Sequence, residues 1–187
     1  MKFSAAVVLL CASFAFGQNP NTRGAQEVGG WISGGRGVTG TTANTGVLAA
    51  GLRFGWVLTA PRGPGFLRGS FEYAVDGIPT FLVFQQYNAY GAGLNPVVLK
   101  WNFDRHGTLA PYIELTGGTL FTSTNVPPGS SPFNFTPGAA VGFRFVRHTW
   151  GPAVAFRYMH ISNAGLSEPN PGINTVQFTL TVSRFRH

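Results

Sequence analysis

Cysteine is nearly absent from this sequence, and charged side chains are scarce. The only cysteine, Cys11, falls in an apolar N-terminal stretch, so no disulfide or thiolate site is expected in the mature chain. Charged residues make up 10% of the 187 residues, against about 25% in a typical soluble domain. Beyond the N-terminus no stretch reaches roughly 18 apolar residues, which excludes a spanning helix.

The N-terminus has the pattern of an export signal. Lys2 supplies one early positive charge, residues 5–16 are mostly apolar, and small residues stand at Ala15 and Gly17. This pattern predicts a cleavable signal peptide over residues 1–17. The remainder, residues 18–187, is long enough for a single domain.

What the sequence does contain is apolar and aromatic material without helical runs. Apolar residues reach 44% and aromatic residues 14%, beside 26 glycines and 13 prolines. Such a composition leaves two fold classes, a soluble β-sandwich or a membrane barrel. The net charge of +7 suits an anionic partner such as a phosphorylated lipid. No basic run interleaved with aromatic residues favours nucleic acid.

Eight segments have the length and composition of β-strands. They are residues 27–33, 47–59, 66–75, 90–103, 109–121, 135–146, 152–162 and 174–186. Short connections alternate with four long ones, residues 34–46, 76–89, 122–134 and 163–173. An up-and-down outer-membrane barrel has short periplasmic turns and long outer loops, whereas a soluble sandwich has no reason to alternate in this way. Residues 79–84 are apolar within a long connection and predict a short helix or lip, or the start of the fourth strand.

The faces of these strands also favour a barrel. Apolar side chains alternate with polar ones along nearly every segment, as an outward lipid face and an inward polar face require. We therefore predict an all-β fold, an eight-stranded antiparallel up-and-down transmembrane β-barrel filled by its own side chains. The charged side chains expected to pair inside it are Arg53, Arg68, Glu72, Lys100, Glu114, Arg144 and Arg157.

A histidine and a serine stand two residues apart near the end of the seventh predicted strand. His160 and Ser162 would point to the same face, with about 6–7 Å between their α-carbons. They share that face with the lipid-facing side chains of the strand, at its outer end. An imidazole beside a hydroxyl is the usual means of activating a serine nucleophile, although H-x-S also arises by chance.

The residues that follow extend this motif. The run from His160 to Leu166, then Pro169-Asn170 and Gly172-Ile173, resembles the motif of the outer-membrane lipid A 3-O-deacylases, acyloxyacyl hydrolase-like barrels. The resemblance covers about 15 residues. It implies an eight-stranded barrel with a Ser-His-Glu site on its outer wall. The implied reaction is hydrolysis of the acyl ester at position 3 of lipid A, in the lipopolysaccharide of the outer leaflet.

The same resemblance implies roles for individual residues. Ser162 would be the nucleophile and His160 the general base. Asn163 matches the oxyanion-hole amide, joined by the backbone N–H of Gly165, and Asn170 matches a supporting asparagine. Neither a metal nor a cofactor is implied.

The third triad position departs from the family. Asn174 stands where the family carries glutamate, and Glu168 is a weaker candidate for the missing charge. Asn174 begins the eighth predicted strand on the lipid-facing side, so we expect it to lie beside His160 across the antiparallel ladder and to orient the imidazole. Three functions therefore stay open: a lipid A deacylase, an enzyme acting on another acylated lipid, and a non-catalytic barrel that binds lipopolysaccharide or stabilises the membrane with a decayed site. The sequence does not distinguish a monomer from a homodimer.

Overall fold

Antiparallel β-strands make up almost all of the computed structural model, which describes residues 21–38, 40–146 and 150–186, without the side chain of Thr41. The predicted signal peptide, residues 1–17, lies outside the described residues. The strands are β1 Gln26–Gly37, β2 Gly46–Val57, β3 Gly69–Phe84, β4 Ala89–Phe103, β5 Leu109–Val126, β6 Ser131–Phe135, β7 Gly138–Phe145, β8 Trp150–Ile161 and β9 Ile173–Arg186. Two single-turn 3₁₀ helices, Gly40–Thr42 and Gly65–Leu67, lie in connections. No helix in this part of the chain is long and apolar enough to cross a membrane.

The sheet closes on itself. β1 pairs with both β2 and β9, and β4 pairs with β5, so that eight strands form a continuous antiparallel ring. β6 is a short extra segment beside the end of β5, in line with β7 and separated from it by Thr136 and Pro137. The predicted eight-stranded antiparallel barrel is confirmed, with its sixth strand, residues 135–146, divided into β6 and β7.

Several strands reach further toward the long loops than predicted. β1 continues to Gly37 and β5 to Val126 because their glycines and threonines, which are typical of loops, pair with neighbouring strands. At Gly35 a β-carbon would lie 2.0 Å from the carbonyl oxygen of Val176, so only glycine lets β1 approach β9 there. Composition alone therefore misplaced these strand ends.

The prediction for residues 79–84, a short helix or lip or the start of the fourth strand, was wrong. This segment is the end of β3, where Phe81 pairs with Ala49 of β2 and is fully buried in the lumen. Its alternation suits a strand, and the connection to β4 needs only residues 85–88.

The outer wall is apolar over its whole circumference. Leu52 of β2 and Phe178 of β9 are 56% and 55% exposed, and comparable side chains repeat on the other strands. A soluble monomer rarely exposes contiguous apolar surface on this scale, whereas a barrel in lipid requires it.

Charged side chains in the lumen form an ion-pair network, and one part of it is built around Arg53. Its Nε lies 2.7 Å from Oδ1 of Asp76, and its Nη1 lies 2.5 Å from Oε2 of Glu114. Arg157 reaches the same Glu114, with 3.1 Å between Nη2 and Oε1. One carboxylate thus bridges two guanidinium groups from different strands.

A second part of the network is built around Glu27. Its carboxylate pairs with Arg144 and, at 3.0 Å, with Nζ of Lys100, which also lies 3.4 Å from Glu72. Together the two parts bury four carboxylates and four cations among the described residues, so the interior carries no net formal charge. Sequence patterning identified six of these groups and missed Glu27 and Asp76.

Arg68 was predicted to lie inside, and this prediction was wrong. Its side chain is 51% exposed and its Nε pairs with Asp104 at 2.9 Å, at the short-turn end of the barrel. Arg68 precedes β3, which begins at Gly69, so the alternation of the strand does not govern where it points.

Glu114→Gln should destabilise the barrel by about 3 kcal/mol, because it leaves Arg53 and Arg157 buried with one carboxylate fewer. Denaturant unfolding in detergent micelles, followed by heat-modifiable gel mobility, measures the change. Asp104→Asn is the matched control: it removes a carboxylate from an exposed pair and should cost less than about 1 kcal/mol. Equal losses in the two variants would contradict a structural role for the buried network.

Candidate active site

The predicted site residues meet where β8 ends and β9 begins, at the long-loop end of the barrel. In the β8–β9 ladder His160 lies directly opposite Asn174. Both side chains are half-buried and lie on the outward face, in line with the exposed Phe156 and Phe178. The site therefore lies on the wall of the barrel and not in its lumen.

Asn174 holds the imidazole. Its Oδ1 lies 2.7 Å from Nδ1 of His160, which confirms the cross-strand contact predicted between them. The hydroxyl of Tyr158 donates to the same Oδ1 at 2.6 Å. Because an amide oxygen only accepts, Nδ1 of His160 carries the proton, and Nε2 is left as the basic nitrogen.

Gly172 sets the position of the other edge of the ring. A β-carbon at Gly172 would lie 2.7 Å from Cε1 and 3.3 Å from Nε2 of His160, and its φ of +64° also suits glycine. Ile161 and Ile173 are the last pair of the ladder, so the next antiparallel step brings Gly172 level with Ser162. The Nε2 edge of the imidazole is thus directed toward the level of the serine.

Ser162 is positioned by β6 as well as by β8. Its N–H donates to the carbonyl of Phe135 at 3.1 Å, and the N–H of Phe135 donates to its carbonyl at 2.7 Å. The residue is only 8% exposed. No hydrogen bond joins its hydroxyl to the imidazole among the described contacts, a separation common in enzymes without bound substrate.

The loop after Ser162 is organised by Asn163. Its side chain is fully buried, and its amide donates to Oγ of Ser130 at 3.1 Å and to the carbonyl of Ser167 at 2.8 Å. Its Oδ1 accepts the N–H of Gly165 at 2.9 Å. The N–H of Gly165, one of the two predicted oxyanion donors, is thus bonded to Asn163. The side-chain amide of Asn163, the other, is bonded to Ser130 and Ser167.

Asn170 lies against the peptide that follows Ser162. Its Oδ1 accepts the backbone N–H of Asn163 at 3.2 Å. The residue is half-buried, and its Nδ2 makes no hydrogen bond within the described part of the chain.

Glu168 is the remaining predicted site residue. It is exposed in the loop, and no ion pair or hydrogen bond joins it to His160 in the described structure. Nor do three His, Cys, Asp or Glu side chains converge among the described residues in a way that could hold a metal ion.

An aromatic cluster borders the serine on its β6 side, opposite the side on which β9 lies. The rings of Phe121 and Phe133 are 4.6 Å apart, and those of Phe133 and Phe135 are 5.1 Å apart. Phe135 is the residue that pairs with Ser162. A hydroxyl, a base and an apolar surface together suit acyl transfer from a lipid ester.

Sequence reasoning gave no role to two residues of the site. Tyr158 stands two positions before His160 and so on the same face, but its alternation marks it only as one more outward strand residue. Gly172 was read as part of the motif without a function, and its contact with the imidazole depends on a loop conformation that spacing does not reveal.

Comparison with known proteins agrees with this geometry. The family model described as lipid A 3-O-deacylase (PagL) matches residues 50–183 of the chain. The lipid A deacylase PagL of Bordetella bronchiseptica (strain ATCC BAA-588 / NCTC 13252 / RB50) is 35% identical over 95 residues. That match covers 50% of this chain, and the chain spans about half the length of this relative.

A solved structure has the same fold. The crystal structure of the outer membrane enzyme PagL superposes with a TM-score of 0.62 at 20% identity, over 83% of this chain and 97% of that one. At this identity the likeness concerns the fold.

Gly172→Ala should slow covalent labelling of Ser162 by a fluorophosphonate at least tenfold, because the added methyl group displaces the imidazole that is predicted to activate the serine. The rate is measured by mass spectrometry of the labelled chain. Gly129→Ala is the control: its φ of +81° is equally unfavourable for alanine, but a β-carbon there meets nothing within 4 Å. Similar slowing in both variants would attribute the effect to backbone strain and not to the His160 contact.

Proposed function

The chain belongs to the lipid A 3-O-deacylase (PagL) family, and we propose that it removes an ester-linked acyl chain, at the 3-O position, from lipid A in lipopolysaccharide. Like its family, it is a protein of the Gram-negative outer membrane. The observation that carries the proposal is that the imidazole of His160, two residues before Ser162, is held by Asn174 on the outward face of the barrel wall. A polar group set against lipid is unfavourable unless it has a function.

The proposed reaction has two steps. Oγ of Ser162 attacks the ester carbonyl while Nε2 of His160 takes its proton; the C–O bond to the sugar then breaks, and the leaving alkoxide takes that proton. A water molecule, deprotonated by the same nitrogen, attacks the acyl-serine, releases the fatty acid and restores the hydroxyl. Each proton removed by His160 is returned in the same half-reaction.

Asn170 is the side chain best placed to stabilise the oxyanion. Its Oδ1 is already bonded to the N–H of Asn163, so its Nδ2 is directed away from that peptide and has no competing acceptor in the described structure. Asn163, the donor implied by the sequence motif, would have to give up Ser130 and Ser167 to act. A single oxyanion donor contributes on the order of 10²–10³ in rate in other hydrolases.

Asn174 orients His160 but supplies no charge. In serine proteases, replacing the triad carboxylate by its amide lowers kcat by about 10⁴, partly because the imidazole adopts the wrong tautomer. Here the second donor, Tyr158, bonds to the same Oδ1 and holds the amide with its oxygen toward Nδ1, which preserves the useful tautomer. We infer a slow but real enzyme.

The alternative is a non-catalytic barrel that binds lipopolysaccharide, and the neutral Asn174 is the observation that favours it. An enzyme of the same mechanism acting on another acylated lipid is a further variant of the main proposal. In both of these cases lipid A in the membrane would keep all of its acyl chains, whereas a lipid A deacylase removes one.

Ser162→Ala and His160→Ala should each abolish loss of one hydroxyacyl chain from lipid A, because each removes a group that takes part in bond cleavage. Mass spectrometry of lipid A from Gram-negative cells expressing each variant measures the outcome. Heat-modifiable mobility should remain, since neither side chain contributes to the buried ion pairs. Wild-type turnover in Ser162→Ala would sink the nucleophile assignment, and an unchanged profile with the wild-type chain would favour the non-catalytic barrel.

Asn174→Glu should raise turnover about tenfold or more, because a carboxylate opposite Nδ1 stabilises the imidazolium as the amide cannot. Glu168→Gln, which removes the exposed loop carboxylate, should change little. Both are measured as initial rates on lipid A in detergent. If Asn174→Glu leaves turnover unchanged and Glu168→Gln abolishes it, the third member of the triad is Glu168 and not Asn174.

A further inference from the structure

Basic side chains are distributed very unevenly along the barrel axis. Among the described residues four lysines and arginines lie in the lumen, and six arginines lie toward the short-turn end. Those six are Arg23, Arg62, Arg68, Arg105, Arg184 and Arg186. At the long-loop end, where His160 and Ser162 lie, Arg36 is the one described basic side chain.

Arg36 is exposed and weakly held. It lies near the end of β1 on the outward face, in line with the lipid-facing Ile32. Its Nη2 reaches the carbonyl of Ala43 at 3.5 Å and Oδ1 of Asn44 at 3.4 Å, two long contacts to neutral oxygens. No carboxylate in the described structure pairs with it, so its charge is uncompensated.

The β1–β9 ladder places this cation beside the site. Arg36 is paired with Val176, two residues along β9 from Asn174. The N–H of Val38 also donates to the carbonyl of Asn174 at 2.9 Å, so the end of β1 lies next to that residue. Diagonal neighbours of this kind are about 7–8 Å apart at their α-carbons, within the reach of an arginine side chain.

We propose that Arg36 binds a phosphate group of the lipid A head group while the ester lies at Ser162. The inference rests on the proposed function. A guanidinium donates charge-assisted hydrogen bonds to phosphate, and the N–H groups on Nε and Nη1 of Arg36 are not used in its contacts with Ala43 and Asn44. Arg36 lies on one side of the site and the phenylalanine cluster on the other, so the head group is oriented across the Ser162–His160 pair. Arg36 is thus a specificity determinant.

The test compares two substrates in detergent: phosphorylated lipid A and the same lipid A after phosphatase treatment. Arg36→Gln should lower the ratio of their kcat/KM values about tenfold, and Arg36→Lys should retain part of the preference because it keeps charge but not the planar fork. The wild-type preference should weaken as salt is raised. Arg62→Gln is the control, because it removes an exposed arginine at the short-turn end with the same change in charge. It should leave the ratio of kcat/KM values unchanged.

A binding measurement separates this inference from the proposed function. Native mass spectrometry of Ser162→Ala, alone and combined with Arg36→Gln, records retention of the phosphorylated lipid over the dephosphorylated one. A preference that Arg36→Gln removes supports the phosphate site even if the wild-type chain hydrolyses neither substrate, a result that would overturn only the deacylase. Equal retention with and without Arg36, or equal effects of Arg36→Gln and Arg62→Gln, would overturn the phosphate site.

Discussion

The compensation of charge inside the barrel is the constraint on which the rest of the molecule depends. Lipid outside forbids unpaired backbone groups, so the sheet must close, and an eight-stranded ring leaves only enough room for side chains. Each inward charge must then be matched there. Glu114 and Glu27 do this by bridging cations from different strands, Arg53 with Arg157 and Lys100 with Arg144. These bridges connect strands that are far apart in the sequence, and they support a rigid wall.

A rigid wall supplies the geometry of the site without a deep pocket. The pairing of β8 with β9 brings His160 opposite Asn174, and the pleat places Tyr158 and Ser162 on the same face. An amide at position 174 is also less costly to place against lipid than a carboxylate, because its desolvation penalty is smaller. The neutral Asn174 thus lacks the charge that a triad carboxylate would supply, but its side chain costs less free energy to place against lipid.

The sequence predicted the features that depend on the alternation of inward and outward side chains along a strand. It did not predict contacts and orientations that are set by a loop or by the end of a strand. The eight-stranded barrel, the outward face of His160 and its contact with Asn174 all follow from a period of two and antiparallel pairing. Arg68 was misplaced because it precedes the strand, and residues 34–37 because glycine composition hides their pairing. The engagement of Asn163 with Ser130 depends on how the end of β5 meets the loop after β8, which no local pattern contains.

The place of the site on the outer wall, between an apolar face and a polar loop, bears on how an open surface could select an ester under the proposed function. From His160 toward the short-turn end the outward face continues through Val176, which pairs with Arg36, to Phe178, and on the other side of His160 stands the polar loop. The ester bonds of a lipid lie at this same boundary, between head group and acyl chains. On the proposed function, the bilayer would present the scissile bond at a fixed height, and the barrel would need only to hold hydroxyl, imidazole and amide at that height. On the same proposal, selectivity among esters would depend on the groups that fix the lipid laterally, the aromatic cluster at Phe135 on one side and Arg36 of β1 on the other.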